Sequence, residues 1–255
     1  MTIRNKIKTY LSEPANKHTV QDIRIGLGYT MVLLENGQAG LAYTPHRDMP
    51  AGCSLFPDFM PSKNTTACAL LDLITSDNPV KTAVGMATAN ALANGYANHF
   101  TTGDVLEKTA VNANDYVGMV GHFAPLVAPL RKMAKKLIIF EQIDQSKGAL
   151  IPSSEIEKQL PECTVAVITA TTLINHSFEK IIPFAENCRE VILLGASTPL
   201  LPEIFLQTPV TCLSGVIVAD IEETLRIVSF GGGMRLFKKC IRKVNIRLRR
   251  GLSDG

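Results

Sequence analysis

From residue 115 onward, short apolar runs rich in Val, Ile and Leu alternate with amphipathic segments. Alternation of this kind is typical of βαβ units and a parallel sheet. Because the apolar runs are nearly continuous, we expect helices on both faces of that sheet. The predicted strands are 116–120, 137–140, 164–169, 191–194 and 216–218, and the predicted helices between them are 125–135, 178–187, 199–206 and 221–228.

The first hundred residues do not show this alternation of strands and helices. Strand-like runs flank Asn36-Gly37, and Asn-Gly is a strong signal for a hairpin turn. Helices are expected at 3–11, 64–74 and 80–96, with a loop rich in proline and glycine over 45–61. We therefore predict a smaller α+β domain at residues 1–105 and an α/β domain at 106–255.

Composition limits the class of protein. The chain has 255 residues, 46% of them hydrophobic, which is enough to bury two ordinary cores. Apolar runs fall short of the roughly 18 residues that a membrane span needs, and the first residues lack a signal-peptide pattern. We expect a soluble, cytoplasmic protein. The six cysteines include no CxxC pair, which favours buried thiols over a zinc knuckle.

The segment 238–250 holds seven basic residues and no acid. Such a segment can bind nucleic acid or an anionic surface. Phe237, Ile241, Val244 and Leu248 recur at helical spacing, which indicates an amphipathic element with a solvated face. Nucleic-acid binding is disfavoured because no interleaved aromatic residues or reader motif accompany the charge. Binding to an anionic surface stays open.

Ligands of open parallel sheets lie beyond the carboxyl ends of the strands. Small and hydroxyl-bearing residues follow four predicted strands, and together with backbone amides near helix starts they suit anions and polar ligands. Some of them can equally serve as ordinary helix caps. The predicted ligand-binding residues are Gly118, Gly121, His122, Phe123, Glu141, Thr171, Thr172, Asn175, Gly195, Ser197 and Thr198.

Two of these residues suggest particular chemistry. Glu141 follows Gly121 by twenty residues, near the spacing at which an acid binds a ribose hydroxyl, although a solvated strand end is an equal alternative. His122 lies at the first predicted strand end, where it can bind a ligand or transfer a proton. The dinucleotide fingerprint is incomplete, since only Gly118 and Gly121 match its glycines. An enzyme that uses a nicotinamide or adenosyl cofactor is an alternative hypothesis. The position of Glu141 favours it, and the incomplete fingerprint counts against it.

Several strings occur in order along the chain: GMVGHFAPLV, LIIFE, ITATTLIN, LLGASTPL and LRIVSFGGGMRLFKK. With them the chain resembles the family labelled "putative heavy-metal chelation", whose biochemical activity is undetermined. The resemblance implies a domain like the amino-terminal domain of enolase, followed by a Rossmann-like domain. It implies no enolase chemistry, because the enolase catalytic groups belong to a barrel domain that has no counterpart here.

The histidines never show the HExxH spacing of a metalloprotease. A metal site could still assemble from His46, Cys53 and His122, since thiolate and imidazole suit heavy divalent metals. Our leading hypothesis is a small anionic ligand, either a metal chelate or a nucleotide-like compound, bound in a cleft between the two halves. Apolar residues at 54–60 can cover that cleft or form a subunit contact, and we expect a homodimer.

Overall fold

The computed structural model describes residues 1–46, 65–95 and 99–248, which form helices, a three-stranded sheet and an eight-stranded sheet. In chain order the elements are α1 (Ile3–Lys17), β1 (Val20–Ile25), β2 (Tyr29–Leu34), β3 (Ala39–Tyr43), α2 (Ala67–Leu71), α3 (Pro79–Asn94), β4 (Thr101–Thr102), α4 (Val105–Lys108), β5 (Tyr116–Val120), α5 (Ala124–Met133), β6 (Lys136–Glu141), β7 (Leu150–Pro152), α6 (Ile156–Gln159), β8 (Val165–Thr169), α7 (Phe178–Ile181), β9 (Glu190–Leu194), α8 (Pro202–Phe205), β10 (Cys212–Val218), α9 (Ile221–Ser229) and β11 (Ile241–Arg247). Short 3-10 turns extend α2, α6 and α7.

The large sheet has the order β4-β11-β10-β9-β8-β5-β6-β7. Strands from β10 to β7 are mutually parallel, whereas β11 and β4 run antiparallel to their neighbours. From β5 the chain builds outward through β6 and β7, then returns to the other side of β5 as β8. The parallel strands therefore follow the 3-2-1-4-5-6 order of doubly wound sheets, in which ligands bind where the direction reverses. Here that point lies between β5 and β8.

Both faces of the large sheet are covered. On one face, Leu126 and Leu130 of α5 belong to the same buried cluster as Met119 of β5 and Val167 of β8. On the other face, the short helices between β7 and β10 bring in side chains such as Phe178, which is fully buried. The predicted large, mostly parallel sheet flanked by helices is confirmed.

The small sheet is antiparallel in the order β1-β2-β3 and packs against α3. At Gly40 a Cβ atom would lie 2.2 Å from the backbone oxygen of Ala87, so only glycine permits this approach of β3 to α3. Asn90 of α3 donates to the backbone oxygens of Leu41, at 2.7 Å, and Ala196, at 3.0 Å. This side chain therefore joins α3 to both halves of the chain. The division of the chain at residue 105 stays a prediction.

Three sequence predictions differ from the structure. The first strand of the expected hairpin is two strands, because a turn at 26–28 reverses the chain between β1 and β2. Helix α1 continues past Pro14 to Lys17, because Ala15 is buried in the core. The segment expected to show helical spacing forms β11, which pairs with β10 from Cys212 to Val218. Edge pairing with β10 outweighs the weak helical periodicity of this segment.

No helix in the described ranges is long and apolar enough to cross a membrane.

Candidate functional site

A cavity of about 720 Å³ opens at the carboxyl ends of β5, β6 and β8, next to the point where the strand order reverses. It brings together these residues predicted from the sequence: Gly121, His122, Phe123, Glu141, Thr171, Thr172 and Asn175. It also includes polar residues that the sequence did not single out: Tyr43, Gln142, Ser153, Ser154, Glu157, Thr169, Ser177 and Lys180.

The turn after β5 forms one wall of the cavity. Gly121 has φ 86°, and a Cβ atom there would lie 2.9 Å from Cγ2 of Thr169, so glycine is required. The amide of Gly121 donates to the backbone oxygen of Phe140 at 2.8 Å, and the amide of His122 donates to Oε2 of Glu141 at 3.1 Å. These two amides at the first strand end are therefore already bonded within the protein and are not free to hold an anion.

Glu141 ends β6 directly beside that turn. Its Oε2 accepts from the His122 amide, and its Oε1 accepts from the Gln142 amide at 2.9 Å. A carboxylate has about four acceptor sites, so these two bonds orient Glu141 and leave acceptor capacity for a ligand. The chemistry that this wall offers is the acceptance of hydrogen bonds from hydroxyl or amine groups.

Hydroxyl groups dominate the wall that follows β8. The Thr169 and Thr171 hydroxyls are 3.0 Å apart, and the Thr172 hydroxyl donates to the backbone oxygen of Thr169 at 2.7 Å. Oδ1 of Asn175 accepts from the amide of Ser177, at 3.2 Å, and from its hydroxyl, at 2.7 Å. These local bonds hold the loop in a tight turn, so its polar groups keep fixed positions in the cavity wall.

Charges of opposite sign line the two sides. Lys180, from α7, is exposed on the β8 side, whereas Glu141 and Glu157 lie on the side of β6 and β7. The sequence contained a signal for Lys180, because the helix FEKI starts just beyond the carboxyl end of β8. Glu157 was harder to find, since it follows β7, a strand of only three residues.

Gly118 is not among the residues that line the cavity. It lies in the middle of β5, where a Cβ atom would be 2.6 Å from Cδ1 of Leu160 and 3.1 Å from Sγ of Cys163. The absence of a side chain lets these two residues pack against the sheet. We therefore assign Gly118 a packing role.

The predicted residues after β9 also lie outside the cavity lining. Gly195 turns the chain at φ 132°. The Ser197 hydroxyl is buried and accepts from the amide of Tyr43 at 2.8 Å, and the Thr198 hydroxyl is buried and donates to the backbone oxygen of Leu193 at 3.5 Å. These hydroxyls stabilise the local backbone through hydrogen bonds. Ser197 contacts the cavity wall through its bond to Tyr43, which lines the cavity.

The structure describes only two members of the candidate metal trio, so the trio stays a prediction. His46 is exposed and is not a lining residue, His122 lines the cavity, and Cys53 lies outside the described residues. Across residues 1–46, 65–95 and 99–248, no group of three or more His, Cys, Asp or Glu side chains could hold a metal ion.

The buried thiols do not supply a soft metal site either. Burial raises the pKa of Cys163 to about 11, that of Cys188 to about 12 and that of Cys212 to about 11. Metals bind the thiolate, so the raised pKa values make metal binding at these buried thiols less favourable. The described residues therefore do not fit a heavy-metal ion held directly by the protein.

A sequence relative and two solved structures match the chain over nearly its whole length. An uncharacterized protein of Methanocaldococcus jannaschii is 27% identical over 254 residues, which is 96% of each chain. A solved structure of a protein with unknown function from Pyrococcus horikoshii has a TM-score of 0.85 at 22% identity and covers 96% of this chain and 100% of its own. A second solved structure, of a protein with unknown function from Desulfitobacterium hafniense, has a TM-score of 0.81 at 22% identity. It covers 96% of this chain and 98% of its own.

Family models describe most of the chain. One model matches residues 8–93 and a second matches residues 104–247, and both carry the description "Putative heavy-metal chelation". The two solved relatives are also assigned to the family of the second model. The chain therefore belongs to the family described as "Putative heavy-metal chelation".

Proposed function

We propose that the protein binds a small molecule that carries a hydroxyl-rich group such as ribose together with one anionic group. The binding site is the cavity at the carboxyl ends of β5, β6 and β8. The observation that carries this proposal is the position of Glu141, which ends β6 and is oriented by the turn at Gly121 and His122. A nucleotide-like compound satisfies this description.

The position of Glu141 supports the hydroxyl-rich part. In doubly wound sheets, an acid at the end of the second strand accepts from ribose hydroxyls, while the first strand turns into its helix beside it. Strands β5 and β6 have that relation, and Glu141 lies at the matching place. A volume of about 720 Å³ falls within the range of small-molecule sites.

Lys180 supports the anionic part. An ammonium group binds phosphate or carboxylate as a point charge, and the hydroxyl of Thr171 on the same side can donate to it, whereas the Ser177 hydroxyl already donates to Asn175. The carboxylates of Glu141 and Glu157 on the opposite side repel further negative charge. The site therefore suits a molecule with a single anionic group better than a polyphosphate.

A metal enters this proposal only as part of the bound molecule. The described side chains form no metal site, so an organic chelate would have to bring its own ligands to the ion. The cavity would then recognise the polar groups of the chelate. An enzyme that uses an adenosyl or nicotinamide cofactor is a second candidate, because His122 lines the same cavity and can exchange a proton with a bound molecule.

The test compares adenosine monophosphate with adenosine by calorimetric titration. We expect Glu141→Gln to weaken both ligands by about tenfold or more, because a hydrogen bond to a charged group is lost. Lys180→Met should weaken only the monophosphate. Glu186→Gln, a change at an exposed acid outside the cavity, serves as the matched control and should have no effect. Unchanged affinity in Glu141→Gln, or no binding of either compound by the wild type, would contradict the proposal.

A further inference from the structure

Large apolar side chains are exposed together on two neighbouring turns. The turn between β1 and β2 carries Ile25 and Leu27, which are 37% and 65% exposed, and the segment after α9 carries Phe230 and Leu236, which are 82% and 62% exposed. We call these four side chains the apolar patch. None of them lines the cavity.

The two turns are in direct contact. A Cβ atom at Gly231 would lie 3.5 Å from the side chain of Leu27, and one at Gly232 would lie 3.0 Å from Cδ1 of Leu236. Leu27 and Leu236 therefore flank the same stretch of glycine backbone, and Phe230 directly precedes it. These two leucines share one stretch of surface, and Ile25 and Phe230 lie within two residues of it along the chain.

Buried residues anchor the segment that carries Leu236. Phe237 is fully buried beside the exposed Leu236, and its ring makes an edge contact with Tyr29 at a centroid distance of 5.3 Å. Cys240 is buried as well. Because the chain is anchored at these points, Leu236 and the residues after Phe237 are held facing outward.

Uncompensated positive charge borders the patch. Arg235, Lys238 and Lys239 are exposed, and none of the ion pairs found in the described ranges involves them. In contrast, Lys243 and Arg247 of β11 pair with acids. Arg242 of β11 is also exposed and outside these pairs, so the unpaired cations of the described part of the basic segment are Lys238, Lys239 and Arg242. The first two lie next to the apolar patch.

We infer that the apolar patch and its three cations dock on an anionic lipid bilayer. Interfacial binding combines shallow insertion of apolar side chains with the attraction of nearby Lys and Arg to anionic headgroups. A two-fold dimer through this surface is disfavoured, because it would bring the three cations against their own copies. Nucleic acid offers phosphates to the cations but no apolar phase for Leu27 and Leu236.

The test is co-sedimentation of the full chain with vesicles. We expect binding to vesicles made of equal parts phosphatidylcholine and phosphatidylglycerol, little binding to phosphatidylcholine alone, and release at high salt. Phe230→Ser should lower the partition coefficient by about tenfold or more. The double change Lys238→Gln with Lys239→Gln should lower it by roughly 25-fold, about fivefold for each cation.

Two controls separate this surface from other effects. Leu206→Ser removes an apolar side chain that is 55% exposed elsewhere and should bind vesicles like the wild type. Glu141→Gln, in the cavity, should also bind normally. Equal binding to neutral vesicles, no binding to anionic ones, or full binding by Phe230→Ser would overturn the inference. A dimer in sedimentation velocity that Phe230→Ser abolishes would overturn it in favour of a contact between copies.

Discussion

His176 holds the cavity loop against helix α1, and its replacement by Asn should destabilise the protein in a pH-dependent way. The residue lies between Asn175 and Ser177 at φ 63°, a left-handed conformation that a non-glycine residue keeps only when its surroundings hold it. Its Nε2 atom is 2.8 Å from Nη1 of Arg4. A guanidinium can only donate, so Nε2 accepts and the ring is neutral.

The magnitude follows from this contact. A hydrogen bond to a charged group contributes about 1.5–3 kcal/mol, and the partial exposure of His176 places it at the lower end. Asn tolerates the left-handed conformation, so the change adds little backbone strain. Arg4 keeps its bond to the backbone oxygen of Ile74 at 3.2 Å. We expect His176→Asn to lower the free energy of unfolding by about 1–2 kcal/mol at pH values above about 7.

The direction with pH can be worked out from the pKa of His176. Burial lowers this pKa below its ordinary value of 6.5, and the positive charge of Arg4 lowers it further. Asp77, a backbone hydrogen bond with Ser76 and Glu179 oppose the shift. A depressed pKa in the folded state means that this stabilisation is complete above 6.5 and is lost as the pH falls through the folded value. The difference between the wild type and His176→Asn should therefore shrink in acid.

Urea denaturation near pH 8 and near pH 5 measures both effects. His99→Asn is the matched control, because His99 has φ 64° but is exposed, and we expect it to change stability by less than about 0.5 kcal/mol at either pH. A stability difference for His176→Asn that is independent of pH, or no larger than that of the control, would refute the reasoning.

Gly40→Ala should lower the free energy of unfolding by about 3 kcal/mol, because its Cβ would lie 2.2 Å from the backbone of α3; an unchanged urea midpoint would contradict this. Asp115→Ala should cost about 2–4 kcal/mol near neutral pH. Burial raises the pKa of Asp115, but hydrogen bonds from Arg189 and Thr164 outweigh burial and lower it below its ordinary value of 3.8. The difference in stability should therefore shrink as the pH falls below 3.8. Burial raises the pKa of Cys188 to about 12, so this thiol should react with a thiol reagent far more slowly than Cys68 in the native protein. In urea the two thiols should react at the same rate. Equal rates in the native protein would argue against the burial of Cys188.

The large sheet and part of the candidate site could be predicted because their signals are local. Continuous runs such as VAVIT suit strands covered on both faces, and the strand-end rule then brought Gly121, Glu141 and Thr171 together. The rule needs only that the strands are parallel, which the alternation of strands and helices indicates.

The remainder depends on contacts between distant parts of the chain. Ser197 looked like a cavity hydroxyl, but its partner is the amide of Tyr43, 154 residues away. Gly118 looked like part of a ligand turn, but Leu160 packs on it. Val244 and Leu248 matched a helical spacing, although the edge of β10 was available for pairing as a strand. Such outcomes depend on which surfaces meet, and a residue pattern does not specify that.

The crystal structure of the protein with adenosine monophosphate tests the central claim most directly. The account predicts ligand density in the cavity, with ribose hydroxyls about 2.5–3.0 Å from the oxygens of Glu141 and the phosphate directed toward Lys180. A nucleotide bound elsewhere, a ligand in the cavity without contact to Glu141, or a bare metal ion held there by protein side chains would contradict it.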